Sequence, residues 1–383
     1  MFSARARSVA WPLFGYFFFF CSLIGTMVPY ISMYYRSIDL SGSEIGRIMS
    51  LLTLSTIIVP HFWGWLTTRL GLPKLTLQIA TGGTFIAVIP FYFAQDYGSF
   101  WVLTFILALF YSALMPLADS LALRSIKGLG VPYTRIRVGG SLGYICAVTL
   151  CGFLISKMGV EAIIPLMMVF ITISFAMTFL LNEKPIPLEK DKQTGSFLSL
   201  LKQKEVRFFL LLAFLSYMAH APYNLFIALH MSNAGYSGEQ IGLLISFGVV
   251  MEIVLFLFFG NIVKRFSVVY IVALCFGLGI FRWILVGWYV ESLWIVLITQ
   301  LTHCITFALF HMVSIEQIHR LFPEKYAAQG QTMYSAFAIG LGGGSGMILS
   351  GYIWEMGGGH AVFTFAAIVS VVALVTLLAN QKS

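Results

Sequence analysis

The chain has 383 residues, of which 59% are hydrophobic and 10% charged, with a mean hydropathy of +0.90. A soluble domain carries about 25% charged residues. Here 23 Lys and Arg with 15 Asp and Glu are too few to keep a core of this length dissolved, so the composition specifies an integral membrane protein.

A spanning helix needs about 20 apolar residues, and apolar runs between polar breaks predict twelve of them. The first six fall near 11–35, 44–67, 75–94, 99–124, 134–156 and 160–181. The second six fall near 207–231, 239–262, 268–289, 292–319, 327–355 and 360–379. The first run, Trp11 to about Tyr35, is too long for a signal-peptide core and has no small-residue cleavage site. The polar stretch between the sets reads as a linker with a short surface helix at 197–203. The expected organisation is therefore an N-terminal six-helix bundle (1–181), a cytoplasmic linker (182–206) and a C-terminal six-helix bundle (207–383).

Charge placement sets the expected orientation. With the N-terminus inside, eighteen of the 23 Lys and Arg fall inside and three outside (Arg36, Arg47 and Lys157), with Arg137 and Arg282 within spans. That bias puts both termini in the cytoplasm by the positive-inside rule, in a cell inner or plasma membrane. It also accounts for the net charge of +8 without nucleic acid. The five cysteines, Cys21, Cys146, Cys151, Cys275 and Cys304, lie in apolar segments without metal-ligand spacing, so no disulfide framework and no metal are expected.

The halves repeat. SGSEIGRIMS (41–50) matches SGEQIGLLIS (237–246) at an offset of 196 residues, which also pairs Gly64 with Gly260 and Arg69 with Arg265. Two parallel six-helix repeats joined by a linker describe a secondary transporter that binds its solute between the halves.

A charge at mid-bilayer costs roughly 3 kcal/mol, so it is paired or faces a cavity. Five are predicted inside the spans: Asp119, Arg137, Glu252, Arg282 and Glu316, joined by His220, His303 and His311. Asp119 lies nine residues before the loop centre at Gly128 and Arg137 nine after it, which gives the two a common height in antiparallel helices. Such a pair is either a structural ion pair or one that exchanges partners with a solute. The same counting sets Glu252, Arg282 and His303 near mid-membrane. An acid, a base titrating near neutrality and a fixed cation suit proton coupling, or else form a core network that locks the helices. His220 and Asn224, one turn apart, and Tyr223 offer hydrogen bonds to a solute or to a neighbouring helix. His311 and Glu316 are weaker candidates, Glu316 being close to a solvated helix end.

GWLTTRLGLPK (64–74) resembles the loop between helices 2 and 3 of the major facilitator superfamily, with Thr68 where an acidic residue is usual. PLADSLA (116–122), YTRIRVGGSLGY (133–144), AHAPYNLF (219–226), NAGYSGEQIG (233–242), FGVVMEI (247–253), FRW (281–283) and LTHCITFALFH (301–311) resemble the phenylpropionate-permease-like branch in one continuous order. That branch is similar to the lactose-permease, or oligosaccharide:proton symporter, family. The resemblance implies an all-α membrane protein of twelve transmembrane helices in two pseudo-symmetric bundles. It also implies proton-coupled uptake of a small organic solute by alternating access. Asp119, Arg137 and Tyr144 would bind that solute, helped by His220, Tyr223 and Asn224. Glu252, Arg282 and His303 would couple the proton. The relatives carry a further carboxylate where this chain has Thr306.

An aromatic carboxylate such as 3-phenylpropionate would use Arg137, whereas a sugar or nucleoside would use Asp119; a proton-driven exporter of drugs or metabolites shares the fold. The expected partners are the solute, protons and lipid, with a monomeric chain, no cofactor beyond the proton gradient and no enzymatic activity. GGSLG (139–143) spells a nucleophile elbow but sits inside a predicted span, and GGSG (343–346) reads as close helix packing.

Overall fold

The computed structural model describes residues 4–185, 200–259 and 265–381. Of the expected surface helix, residues 197–199 lie outside them. Among the described residues the chain is built from helices. Ten are long and apolar enough to cross a bilayer, and a bent pair, Gly42–Ile57 with Val59–Leu70, adds an eleventh. The last stretch, Ala327–Asn380, runs 54 residues. About 20 fill a bilayer, and this stretch breaks at Gly357 and Gly358, where the backbone leaves helical geometry. It therefore makes two spans, which brings the described residues to twelve.

In chain order these are α1 (Ala4–Ser37), α2 (Gly42–Ile57 and Val59–Leu70), α3 (Pro73–Tyr92), α4 (Tyr97–Ile126), α5 (Tyr133–Met158) and α6 (Val160–Leu180). There follow α7 (Lys204–Asn233), α8 (Gly238–Phe258), α9 (Val268–Trp288), α10 (Leu293–Leu321), α11 (327–356) and α12 (359–380). Pro60 explains the break in α2: it lacks an N–H and its ring displaces the carbonyl four residues back, and the two halves meet at 41°. Asp96 caps α4 through Ser99, accepting from its backbone N–H at 3.0 Å and its hydroxyl at 2.5 Å. Those bonds hold the Asp96 carboxyl below the usual carboxylate range, so the cap is still made within that range and is lost as pH falls below it.

The chain divides into two compact units. One is built on residues up to Leu40 and from Ser55 through α6; the other holds Ser41–Leu54 and α7 to α12. The core of the first is aromatic and aliphatic, with Tyr16, Phe17, Phe20, Trp63, Leu114 and Ile136 buried together. Within it α5 lies against α1 at backbone distance. A methyl on Gly139 would come within 2.7 Å of the Phe14 carbonyl oxygen, and one on Gly143 would run into that of Phe18. The Ser22 hydroxyl donates to the Gly143 carbonyl at 3.0 Å and the Tyr30 hydroxyl to that of Val148 at 2.9 Å. In the membrane such close approach replaces the hydrophobic drive that lipid cannot supply.

The second unit repeats the device. A methyl on Gly342 would meet the Phe214 carbonyl, and one on Gly346 would lie 2.6 Å from Ala221 Cβ, so α11 packs on α7 without side chains between. The first half of α2 lies against α11 in the same manner, Gly42 towards the Gly351 carbonyl and Gly46 towards that of Met347, while Glu355 accepts from the Ser43 backbone N–H at 2.8 Å. The two glycine-and-serine segments are thus packing surfaces. GGSLG sits mid-helix in α5 with no strand-to-helix turn, and Ser345 donates to the Leu341 carbonyl one turn back.

Candidate functional site

In the first unit Asp119 on α4 and Arg137 on α5 come together as their spacing predicts, with Arg137 Nε 3.6 Å from Asp119 Oδ1 and each side chain about one-third exposed, at 38% and 33%. Tyr133 completes the group, its hydroxyl donating to Asp119 Oδ1 at 2.5 Å. The Arg137 guanidinium also lies over the Phe17 ring, 5.2 Å from its centroid. Tyr144 is half-buried two turns along α5 and packs against the core of this unit.

Sequence reasoning gave Tyr133 no role, although its position one turn before Arg137 sets it on the same helix face. Tyr133→Phe is expected to lower the melting midpoint, because a hydrogen bond to a charged group contributes roughly 1.5 kcal/mol at its lower end and partial exposure cuts that to about 1 kcal/mol. An unchanged midpoint would mean that water serves Asp119 as well as the hydroxyl does.

The second unit buries a denser network. His303 on α10 contacts Glu252 on α8, Nε2 to Oε1 at 2.9 Å. Tyr223 on α7 stacks on the His303 ring at 5.0 Å and donates its hydroxyl to Gln300 Oε1 at 2.7 Å. Arg282 on α9 is 1% exposed. Its guanidinium carbon sits 4.4 Å from the Tyr223 ring centroid and 4.3 Å from that of Trp283, and such stacking stabilises a desolvated cation by about 2 kcal/mol. Arg282 Nε donates to the Thr299 carbonyl at 3.0 Å and Nη1 to the Thr306 hydroxyl at 3.0 Å. Among the described residues no carboxylate lies within 4.0 Å of it, because Glu252 is taken by His303.

The backbone of α10 makes this arrangement possible. Its α-helical turns stop at Leu301, and Cys304–Leu309 winds as a π-helix. Wider turns free carbonyls from the helix ladder, and neighbours must satisfy them inside a membrane. Arg282 takes the Thr299 carbonyl and the Cys275 thiol takes that of Ile305, at 3.2 Å.

The remaining candidates separate. His220 is buried, its Nδ1 2.8 Å from the Ser216 carbonyl and its ring edge-on to Trp283 at 5.0 Å. Asn224 is half-buried one turn further on. His311 turns to another partner, Tyr334, whose hydroxyl is 3.2 Å from its Nδ1. Glu316 is exposed near the end of α10, outside the network. Gln300 escaped the sequence reading, although an amide three residues before His303 in the middle of a span marks the same face. Among the described residues no three His, Cys, Asp or Glu side chains are placed to hold a metal.

A family model described as "MFS_1 like family" matches residues 10–365. The chain belongs to the MFS_1 like family. Similar curated proteins are a maltose permease of Geobacillus stearothermophilus, 27% identical over 99% of this chain and 97% of that protein, and a probable 3-phenylpropionic acid transporter of Escherichia coli (strain K12), 28% identical over 96% and 97%. The solved nucleoside transporter NupG superposes with a TM-score of 0.79 at 17% identity, covering 98% of this chain and 99% of that one, and a mutant of it with 0.85, also at 17% identity, covering 97% and 99%. At that identity the likeness speaks for the fold: twelve helices in two pseudo-symmetric bundles, the major facilitator architecture. This MFS_1 like chain is accordingly a multi-pass membrane transporter.

Proposed function

We propose that the protein carries a small organic solute into the cell together with a proton, by alternating access, and that an aromatic monocarboxylate is the favoured solute. The observation that supports coupling is the buried His303–Glu252 contact at 2.9 Å. A carboxylate and an imidazole in hydrogen-bond contact hold an exchangeable proton as a pair, and the fixed charge of Arg282 nearby biases where it resides. Solute binding is assigned to Asp119, Arg137, Tyr144, His220, Tyr223 and Asn224. The protein acts as a monomer in the cell inner membrane with both termini in the cytoplasm, as the Lys and Arg bias favours, and draws on the proton gradient alone, without a cofactor and without catalysing a reaction.

The probable 3-phenylpropionic acid transporter supports the aromatic acid. A second reading, proton symport of a sugar, draws on the maltose permease. It also draws on the accessible Asp119–Tyr133 group, since carboxylate and phenol together suit a neutral polyol. Purified protein in liposomes, monitored for internal pH, discriminates them. Added 3-phenylpropionate is expected to acidify the lumen, and maltose and nucleosides are expected not to. Acidification by maltose alone would transfer the assignment to the sugar, and none with any solute would remove the coupling role.

A further inference from the structure

Buried polar atoms are nearly always satisfied, and each exception calls for a physical reason. Five buried side-chain atoms that find no hydrogen-bond partner among the described residues belong to one cluster of the second unit: Arg282 Nη2, Gln300 Nε2, Trp283 Nε1, His220 Nε2 and His303 Nδ1. Their chemistry is divided. The guanidinium, the amide and the indole nitrogen only donate. His220 has its Nδ1 against a carbonyl, which only accepts, so the proton is there and Nε2 carries a lone pair. His303 directs Nε2 at the Glu252 carboxylate, which leaves Nδ1 with its lone pair. The cluster therefore offers a cation with spare donors next to two sites able to take a proton.

From this we infer that Arg282, with the Gln300 amide beside it, holds the carboxylate of a monoanionic solute, and that the anion brings one proton onto the neighbouring Glu252–His303 pair. The inference rests on the proposed symport and names its charge balance. With both imidazoles neutral, Arg282 and Glu252 cancel. An entering carboxylate leaves the cluster one negative charge in excess in a low-dielectric interior, where an uncompensated charge is costly. A single proton on the Glu252–His303 pair restores neutrality. The groups facing that pair are Arg282 on α9, His220, Tyr217 and Tyr223 on α7, and His311 and Cys304 on α10, and of these Arg282 carries a permanent positive charge. Arg137 is less suited to the anion, because Asp119 is already its partner and would repel a second carboxylate. A neutral sugar would create no demand for a proton here. Transport of the monoanion is thus electroneutral, one proton to one carboxylate.

The test is calorimetric titration of the full-length protein with 3-phenylpropionate at neutral pH in two buffers of different ionisation enthalpy, followed by flux in liposomes. The expected result is uptake of about one proton per anion bound, with 3-phenylpropanol bound at least about 30-fold more weakly and without proton uptake. Initial flux should follow a pH gradient and ignore a potassium–valinomycin potential. Thr306→Asp, which sets a carboxylate against Arg282 Nη1, should weaken binding of the anion at least about 30-fold; Arg282→Lys should weaken it less than Arg282→Gln. A thermal melt of each variant separates this from misfolding. Binding without proton uptake, flux that responds to potential, or wild-type affinity in Thr306→Asp overturns the inference while leaving transport of the acid intact. Sodium chloride competing as well as the acid would make this a site for inorganic anions and overturn it too. A wild-type protein that binds maltose and not 3-phenylpropionate removes both the inference and the favoured solute.

Discussion

Glu252→Gln is expected to abolish uphill accumulation of the solute and the acidification that accompanies it, by at least about 100-fold, at the lower end of what a positioned proton-transfer group contributes. Glutamine is nearly isosteric and can still hydrogen-bond to His303 across the same 2.9 Å contact, so helix packing should survive. It cannot ionise. The pair then loses its carboxylate, Arg282 loses the nearest negative charge, and the site can no longer alternate between protonated and charged forms. Glu252→Asp keeps the charge one methylene further away and should retain measurable coupling. The measurement is solute-dependent acidification in liposomes beside a thermal melt of the same preparation. A melting midpoint near wild type with lost acidification is the expected outcome. Acidification at the wild-type rate would show that the proton travels by another route.

Gly143→Val should have the largest effect on stability. At Gly143 a methyl group would run into the carbonyl of Phe18, which is backbone and cannot rotate away. Overpacking typically costs 1–3 kcal/mol, and valine with two further methyls lies at the upper end, about 3 kcal/mol. It would also disturb the Ser22 hydrogen bond to the Gly143 carbonyl, and it sits between Arg137 and Tyr144 on the same helix. The expected readout is a sharply lower melting midpoint in detergent and reduced yield of folded protein. Gly277→Ala is the control, since nothing lies within 4 Å of a methyl there and its midpoint should stay near wild type. Equal midpoints for the two variants would show that α1 and α5 do not depend on close approach.

Most of the architecture was legible because it follows from one-dimensional physics. Twenty apolar residues fill a bilayer wherever they occur, so the spans could be read to within a few residues, and residue counts from loops put Asp119 level with Arg137 and Glu252 level with His303. What escaped depends on rotation about the helix axis. Counting put Arg282 level with His303 without giving its direction, and its partners turned out to be Tyr223, Trp283, Thr299 and Thr306. The π-helical turns of α10 redirect the face of that helix, and no periodicity in CITFAL announces them. Tyr133 and Gln300 were overlooked because a phenol or an amide in an apolar run is less conspicuous than a charge. Glu316 was conspicuous for its charge, yet it lies on an exposed face.

Arg282 also bears on how the protein is made. Its hydrogen-bond partners, Thr299 and Thr306, lie downstream of it in the chain. A span inserted in order therefore enters the bilayer before either has emerged beside it, carrying a charge that insertion disfavours by about 3 kcal/mol. Of its contacts, only the rings of Tyr223, on an earlier helix, and of Trp283, its own neighbour, are then at hand. These two rings are thus the first shelter the cation meets during biogenesis. α9 consequently reaches its settled place only after α10 has emerged, so the ribosome and the translocon must handle the two as a pair.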